Sequence, residues 1–176
     1  FIILDDDTHL TADYLRWSLS STAYISVPIL ISAGHEVSPR VAGTFQTPPY
    51  KTMANVIAAG SGVRISHTAA RLLQSAFGNV FDERFALYGA DSSLFYRLKK
   101  LMLCDKIELG PRLEHSSSLT DPMSRTTRFR RMERGYDLGL QVRHYPSFYV
   151  AKRLVQETVL AMFGKSRLAV ACAWSG

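Results

Sequence analysis

Residues 1–8 read Phe1-Ile2-Ile3-Leu4-Asp5-Asp6-Asp7-Thr8. In this stretch four large apolar residues lead directly into three consecutive carboxylates. A short apolar run predicts a buried strand, and the strands of α/β sheets present ligand-binding groups just beyond their carboxyl ends. Adjacent carboxylates repel one another, so their clustering favours a bound cation, and hard oxygen ligands suit Mg²⁺ or Mn²⁺. The stretch therefore predicts an α/β fold with a metal site after its first strand.

The same acids also have a purely structural interpretation. Asp and Thr are good helix N-caps, and residues 11–19 are patterned as the helix that would follow. Both interpretations put a strand before the acids and a helix after them. They differ only on whether a metal ion binds.

The length and composition are those of one domain. The chain has 176 residues, of which 47% are hydrophobic, and this is enough for a core. Cys104 and Cys172 lack the paired spacing of a zinc site. They weakly favour a reducing compartment, and the sequence does not decide whether they form a disulfide. No signal peptide is visible, and the longest apolar run, 24–33, is too short to cross a bilayer. A soluble or peripheral protein is expected.

The positive charge is concentrated near the C-terminus. Residues 125–153 contain eight Arg or Lys and two acids, so they account for the whole net charge of +6. Such a patch suits nucleic acid, anionic lipid or a phosphorylated substrate, and a solvated helix face is the structural alternative.

Apolar periodicity predicts alternating helices and strands along the first two thirds of the chain. The predicted elements are a helix at 12–19, a strand at 24–32, a long irregular loop at 34–49, an apolar run at 53–59, a helix at 68–77, a helix after Asp91, a short strand at 106–109 and a further strand ending at His115.

Three motifs in this region have both a structural and a functional interpretation. The turn Gly60-Ser61-Gly62 would let a ligand approach the backbone or would simply reverse the chain; without GxGxxG, GKS or GKT it is not a phosphate loop. Asp91 is either a helix N-cap or a general base at the mouth of a cleft. His115 is either an ordinary histidine or a third metal ligand.

Taken in order, these motifs resemble those of family 2 glycosyltransferases of the GT-A fold. The order is an acid cluster of the DxD type after an apolar strand, a GSG turn, the segment FDERF at 81–85, a Gly-x-Asp that opens a helix with LFYRL, a short strand and a histidine. The match covers residues 1–143. The forms LDDDT and FYRLKK and the Arg-rich tail look most like bacterial rhamnosyl- or galactofuranosyltransferases, which build cell-surface polysaccharide.

The resemblance implies a Rossmann-like, nucleotide-diphospho-sugar transferase fold of which this chain holds the C-terminal part. Residues 1–124 would be a partial GT-A catalytic domain and residues 125–176 a basic helical segment. The chain begins in mid-strand without an initiator Met, and the half of the domain that holds the donor base is expected to be absent.

The resemblance also assigns roles to individual residues. Ala90 stands where many relatives carry a second acid before the base, and Arg134-Gly135 stands where an Arg-Asn pair is common. The implied roles are as follows: Asp5 and Asp7 hold Mg²⁺ or Mn²⁺ and the donor diphosphate with Asp6 nearby, Gly60, Ser61 and Gly62 line the sugar or acceptor pocket, Asp91 is the catalytic base, and His115 completes the metal shell.

The implied reaction is an inverting sugar transfer. The donor would be a UDP- or dTDP-linked sugar and the acceptor a hydroxyl of a glycan or of a lipid-linked molecule. The implied location is the cytoplasm or the inner face of the plasma membrane, with an anionic membrane surface as a further partner. No nucleic acid is expected as a partner.

A helical stripe of apolar residues near the C-terminus is relevant to the question of membrane binding. Its usual explanation is packing on the protein's own core. Beside the Arg-rich run, it also fits an interfacial helix that brings the active site to a lipid-linked acceptor. The stripe comprises Phe148, Ala151, Val155, Val159, Met162 and Phe163, with Lys152, Arg153, Gln156 and Glu157 expected to face elsewhere.

Two other classes of protein remain as alternatives. A haloacid-dehalogenase phosphatase has the pattern DxDx(T/V), which requires Thr or Val where this chain has His9. Release of phosphate from a generic phosphoester would favour it. A nucleic-acid-binding module could use the basic patch, although no RNP pattern, zinc spacing or clear helix-turn-helix accompanies it. Salt-sensitive binding to DNA or RNA without a response to sugar nucleotides would favour that class.

Overall fold

A computed structural model of the chain describes residues 1–5, 8–41, 56–116, 127–166 and 168–174. The chain divides into two compact units. Unit 1 is Phe1–Phe81 with Asp91–Thr120, and unit 2 is Asp82–Ala90 with Asp121–Gly176. Each unit has a hydrophobic core of its own.

Unit 1 is built on a mixed sheet. The strands are β1 (Thr8–His9), β2 (Ile25–Ser32), β3 (His35–Ser38), β4 (Arg40–Val41), β5 (Val56–Ile57), β6 (Arg64–Ile65) and β7 (Ile107–His115). The strand order in the main sheet is β1-β7-β2-β3, and β6 also pairs with β2. Strands β2 and β7 run parallel, with Ile25 opposite Ile107, and the other pairings are antiparallel. Strands β4 and β5 form a separate two-stranded ladder.

Two of the three α-helices described in unit 1 begin at capping side chains. The three helices are α1 (Ala12–Ser20), α2 (His67–Phe77) and α3 (Ala90–Lys100). Thr11 Oγ1 accepts a hydrogen bond from the Tyr14 N–H at 3.1 Å, and Ser66 Oγ accepts one from the Ala69 N–H at 3.1 Å. Gly78, at φ +83°, ends α2. The α/β class and the helices predicted at 12–19 and 68–77 are thereby confirmed.

The core of unit 1 forms where β2 meets α2 and α3. The helix predicted after Asp91 is α3, which begins one residue earlier, at Ala90; its Leu94 and Leu98 are 1% and 0% exposed. Buried members of the core are Ile25, Val27, Ala58, Val63, Ile65, Ala69, Ala70, Leu73, Leu94, Phe95, Leu98 and Ile107.

The prediction of a buried first strand is wrong. Residues 1–3 are extended and bonded antiparallel to residues 63–65, with the Ile3 N–H donating to Val63 O at 2.9 Å, but Ile2 makes only an isolated bridge. Phe1 and Leu4 are 60% and 47% exposed. An apolar run shows that a segment is suited to burial, but it does not show that other elements cover both of its faces.

Two further predictions are corrected in the sheet. The expected loop at 34–49 contains β3 and β4 over its first part, because Ala33 and Gly34 adopt positive φ and close a two-residue hairpin; residues 42–49 lie outside the described residues. The two strands expected around 106–115 are a single β7. Its register on β2 shifts at Gly110-Pro111, which interrupts the apolar pattern without ending the strand.

Unit 2 consists of helices in its described part: α4 (Arg128–His144), α5 (Phe148–Met162) and the short α6 (Val170–Ala173). Gly135 and Gly139 lie one turn apart on α4. A Cβ at Gly135 would lie 2.4 Å from the Ala169 backbone oxygen, and a Cβ at Gly139 would lie 2.4 Å from that of Ala173. The two glycines therefore allow the backbone in and next to α6 to pack closely against α4. The buried core is Leu138, Val150, Leu168 and Ala173. No helix among the described residues is long and apolar enough to cross a membrane.

Candidate active site

Residues predicted for the site meet at the Gly60-Ser61-Gly62 turn of unit 1. The Asp5 backbone N–H donates a hydrogen bond to Ser61 Oγ at 3.2 Å. Ser61 Oγ also contacts Thr8 Oγ1, which lies 2.9 Å from His115 Nδ1. A continuous series of hydrogen bonds therefore joins Asp5 to His115 at the carboxyl end of β7.

Asp91 approaches the same turn through Gly60. Its Oδ1 lies against the backbone of Gly60. A Cβ at position 60 would lie 2.5 Å from Asp91 Oδ1, so the absence of a side chain at Gly60 allows this approach. Asp91 lies in the first turn of α3, not before it as the N-cap interpretation requires. Its contact with Gly60 joins α3 to a distant segment of the chain, and helix capping does not require such a contact.

The electrostatics of Asp91 are those of a carboxylate that is difficult to ionise. Burial raises the pKa of Asp91, the nearby negative charge of Asp5 raises it further, and the backbone of Gly60 opposes these effects. A carboxyl group with a raised pKa holds a proton more readily, which is what a general base requires. Structural groups also have perturbed pKa values, but the convergence of Asp5, Ser61 and His115 here makes this a candidate site.

Two residues that the sequence did not predict support the turn. Tyr14 is completely buried and its hydroxyl donates to the Gly62 carbonyl. Burial raises the pKa of Tyr14 to about 12, partly opposed by the charge of Arg64, so the hydroxyl keeps its proton at neutral pH. Thr8 joins Ser61 to His115. Its position directly after the acid cluster was an available signal, whereas Tyr14 was indistinguishable from the other apolar positions of its helix.

The turn itself is buried. Ser61 has no exposed surface, so in this structure its hydroxyl holds Asp5 and Thr8. Gly62 has φ +76°, and a Cβ there would lie 2.6 Å from Pro28 Cγ, so another residue would be both strained and obstructed. The predicted role of this turn in lining a sugar or acceptor pocket stays a prediction.

Part of the predicted metal site lies outside the described residues. Asp6 and Asp7 fall there, and within the described ranges no group of three or more His, Cys, Asp or Glu side chains could hold a metal ion. The chemistry of the described donors nevertheless fits a divalent cation. Asp5 supplies a carboxylate whose repulsion of Asp91 a cation would offset. His115 would bind through Nε2, because its Nδ1 lies against Thr8 Oγ1.

The basic segment is partly engaged inside unit 2. Arg130 Nη1 donates to the Tyr88 hydroxyl at 3.3 Å, and the guanidinium carbon of Arg134 lies 4.9 Å from the centre of the Tyr88 ring. Arg131 Nη2 donates to the Ser166 carbonyl at 3.3 Å. Arg125 lies outside the described residues. The positive run is therefore not simply a solvated helix face.

Comparisons of this chain with protein-family models, with curated proteins and with solved structures found no match. The resemblance to family 2 glycosyltransferases thus rests only on the order of the motifs in the sequence, and it stays a prediction.

Proposed function

We propose that this chain is a metal-dependent glycosyltransferase of the GT-A type, which transfers a sugar from a nucleotide-diphosphate donor to a hydroxyl of a glycan or lipid-linked acceptor. One observation carries the proposal: three separate segments of unit 1 bring Asp5, Asp91 and His115 to the Gly60-Ser61-Gly62 turn, Asp5 through its backbone N–H, Asp91 against Gly60 and His115 through Thr8. These are the residues to which the family resemblance assigns the cation, the donor and the base. Independent structural roles would not require them to meet.

Asp91 is the catalytic base in this proposal. Its carboxylate removes the proton of the acceptor hydroxyl as the hydroxyl oxygen attacks the anomeric carbon of the donor sugar. The bond from that carbon to the diphosphate breaks at the same time, and the leaving diphosphate takes the electron pair. This single displacement inverts the anomeric configuration and needs no covalent enzyme intermediate.

The remaining residues bind and orient. Asp5, Asp7 and His115 would hold Mg²⁺ or Mn²⁺, which supplies Lewis-acid stabilisation of the departing diphosphate when bound. Thr8 fixes the orientation of the His115 ring through Nδ1, and Ser61 anchors the backbone of Asp5. Gly60, which has no side chain, leaves room for the carboxylate of Asp91.

A thermal-shift titration of the intact-length protein with UDP- and dTDP-sugars tests the proposal, with Mg²⁺, with Mn²⁺ and with EDTA. A ligand that binds only the folded chain stabilises it by about 2.7 kcal/mol at a concentration of 100 Kd. We expect one donor to raise Tm only when the cation is present. Asp5→Ala should abolish this shift. Asp13→Ala is the matched control, because Asp13 is an exposed acid that pairs with Arg16 on the surface of α1.

Two further samples separate the alternative classes. A generic phosphoester tests for phosphatase activity, and a DNA or RNA fragment tests for salt-sensitive binding. The absence of a cation-dependent shift with any nucleotide sugar would contradict the proposal, and so would an equal loss of the shift in Asp5→Ala and Asp13→Ala.

A further inference from the structure

Helix α5 exposes the apolar side chains that were expected to pack on the core. Phe148 is 87% exposed, Val155 is 64% and Met162 is 80%, and Val159 and Phe163 are exposed as well. The packing interpretation of this stripe is therefore wrong. We name these five residues, Phe148, Val155, Val159, Met162 and Phe163, the α5 stripe.

The buried side of α5 is a different one. Val150 is 1% exposed and packs with Leu138 and Leu168 in the core of unit 2. Val150 lies five residues before Val155, close to the opposite side of a helix with 3.6 residues per turn. The helix is thus apolar on two sides, and the described residues of unit 2 cover only one of them. A contiguous exposed apolar surface of this kind marks an interaction or membrane site.

The charge around the stripe indicates the partner. Lys152 was expected to face away from the stripe, but this expectation is wrong. Lys152 lies four residues after Phe148 and three before Val155, so it shares their face of the helix. Within residues 148–163, which the structure describes without a gap, Lys152 is the one charged residue on that face. Lys165 follows directly after the stripe and is also exposed.

Unit 2 as a whole is cationic. By sequence it contains eleven Arg or Lys and six Asp or Glu, a formal charge of +5. Two of those acids, Asp82 and Asp137, are buried, and Glu157 accepts a hydrogen bond from Ser166 Oγ. The apolar stripe therefore lies on a surface that attracts anions.

An anionic lipid surface fits these features better than a second copy of the chain. A two-fold interface through the stripe would bury Lys152 of both copies in a desolvated contact to which the stripe contributes no acid, and this is unfavourable. At a bilayer, the stem of Lys152 would extend along the apolar face while its ammonium group reaches the headgroups. We propose that the α5 stripe docks on an anionic lipid bilayer as an interfacial helix. The inference does not rest on the proposed function.

Sedimentation of the full chain with lipid vesicles tests it, using phosphatidylcholine alone or with added phosphatidylglycerol. We expect binding to the anionic vesicles that weakens as salt is raised. Met162→Glu should weaken it about tenfold or more, because a carboxylate then enters the interface. Met102→Glu is the matched control in unit 1, since Met102 is 86% exposed and Met162 is 80%. Both variants should melt like the unchanged protein.

A charge reversal tests the electrostatic part. One basic residue near an anionic surface contributes about a fivefold gain in binding, so Lys152→Glu should lose about 25-fold. Arg71→Glu makes the same change in charge on an exposed position of α2 and should lose much less.

Three results would overturn the inference. The first is an absence of sedimentation with phosphatidylglycerol vesicles, and the second is equal binding by Met162→Glu and Met102→Glu. The third is a doubled mass in sedimentation velocity that Met162→Glu abolishes, without vesicle binding, because the stripe would then be a self-association surface.

Discussion

Asp82 of unit 2 and Asp91 of unit 1 are close in sequence and opposite in environment. Asp82 is 2% exposed; its carboxylate accepts hydrogen bonds from Arg84 Nε and from the Tyr145 hydroxyl, each at 2.7 Å. Burial alone would raise the pKa of Asp82, but these bonds outweigh it and hold the pKa well below its usual range. Asp91 has the Gly60 backbone against its carboxylate and the charge of Asp5 nearby, and its pKa is raised.

The difference separates two uses of a buried acid. A carboxylate that its neighbours neutralise stabilises the fold, as Asp82 does. A carboxylate buried near another acid costs stability when it ionises, and this cost is characteristic of functional sites. The four predictions below test this contrast.

Asp91→Asn should have the largest effect. Loss of a general base lowers turnover of the nucleotide-sugar donor by about 100- to 10,000-fold. The same variant should raise Tm at neutral pH, because the folded-state pKa of Asp91 lies above its ordinary 3.8 and ionisation therefore opposes folding. The gain should disappear below about pH 3.8, where the carboxyl group is protonated in both states. Donor turnover and thermal melts at neutral and acid pH measure both effects.

Asp105→Asn is the control for that pair of measurements, since Asp105 is an exposed acid of unit 1 that pairs with Lys106. It should alter neither turnover nor Tm. A lower Tm of Asp91→Asn at neutral pH would remove the contrast with Asp82.

Asp82→Ala should act in the opposite direction on stability. It removes the carboxylate that accepts hydrogen bonds from Arg84 and from the buried Tyr145 hydroxyl, so the free energy of unfolding should fall by about 2–4 kcal/mol. The folded-state pKa of Asp82 is depressed, so its stabilisation is present above its ordinary 3.8 and is lost as pH falls toward the folded-state value. Urea unfolding at several pH values measures this. The exposed neighbour Glu83 supplies the control Glu83→Ala, and equal losses in the two variants would contradict the assignment.

Gly60→Ala tests how Asp91 is positioned. The new Cβ would displace the Asp91 carboxylate, so turnover should fall about 10- to 100-fold with little change in Tm. In an Asp91→Ala background the same substitution should have no further effect, since the obstructing atom is gone. Gly34→Ala is the contrasting variant: a Cβ there meets nothing within 4 Å but the φ of +77° is strained, so it should lower Tm without lowering turnover. Additive losses in the double variant would show that Gly60 acts through something other than Asp91.

For Asp5→Asn the effect that bears on the comparison is a displacement along the pH axis, the smallest of the four effects, although this variant should also bind cation and donor less tightly. The charge of Asp5 raises the pKa of Asp91, so removing it should move the acid limb of the pH–rate profile to lower pH. The position of the limb is the readout, independent of any fall in the maximum rate. Asp13→Asn, on the exposed surface of α1, should leave the limb in place. An unmoved limb in Asp5→Asn would mean that the two carboxylates are not coupled.

Local structure was largely predictable from the sequence. Helices α1 and α2 begin at Thr11 and Ser66, and α2 ends at Gly78, because caps depend on residues one turn apart. The order of the motifs by itself also indicated Asp5, Asp91 and His115 as candidate site residues.

The sequence could not show which apolar surfaces are covered. Periodicity identified the apolar stripe of α5 but not that Val150 packs on the core while Phe148 and Met162 face solvent. It likewise predicted burial for Phe1, which is exposed. Burial depends on what other segments supply, and these segments are distant in the chain.

The sequence by itself determined where the caps lie, where the acids and glycines lie, and in what order the motifs follow. Only the tertiary structure decided that Gly60 meets Asp91, that Thr8 meets His115, and that Asp82 and Asp91 have pKa values shifted in opposite directions. The physical reason is that a carboxylate's ionisation depends on its burial and on the charges and donors within a few ångströms. For Asp91 these come from Asp5 and Gly60, and for Asp82 they include Tyr145; all three are brought near by folding.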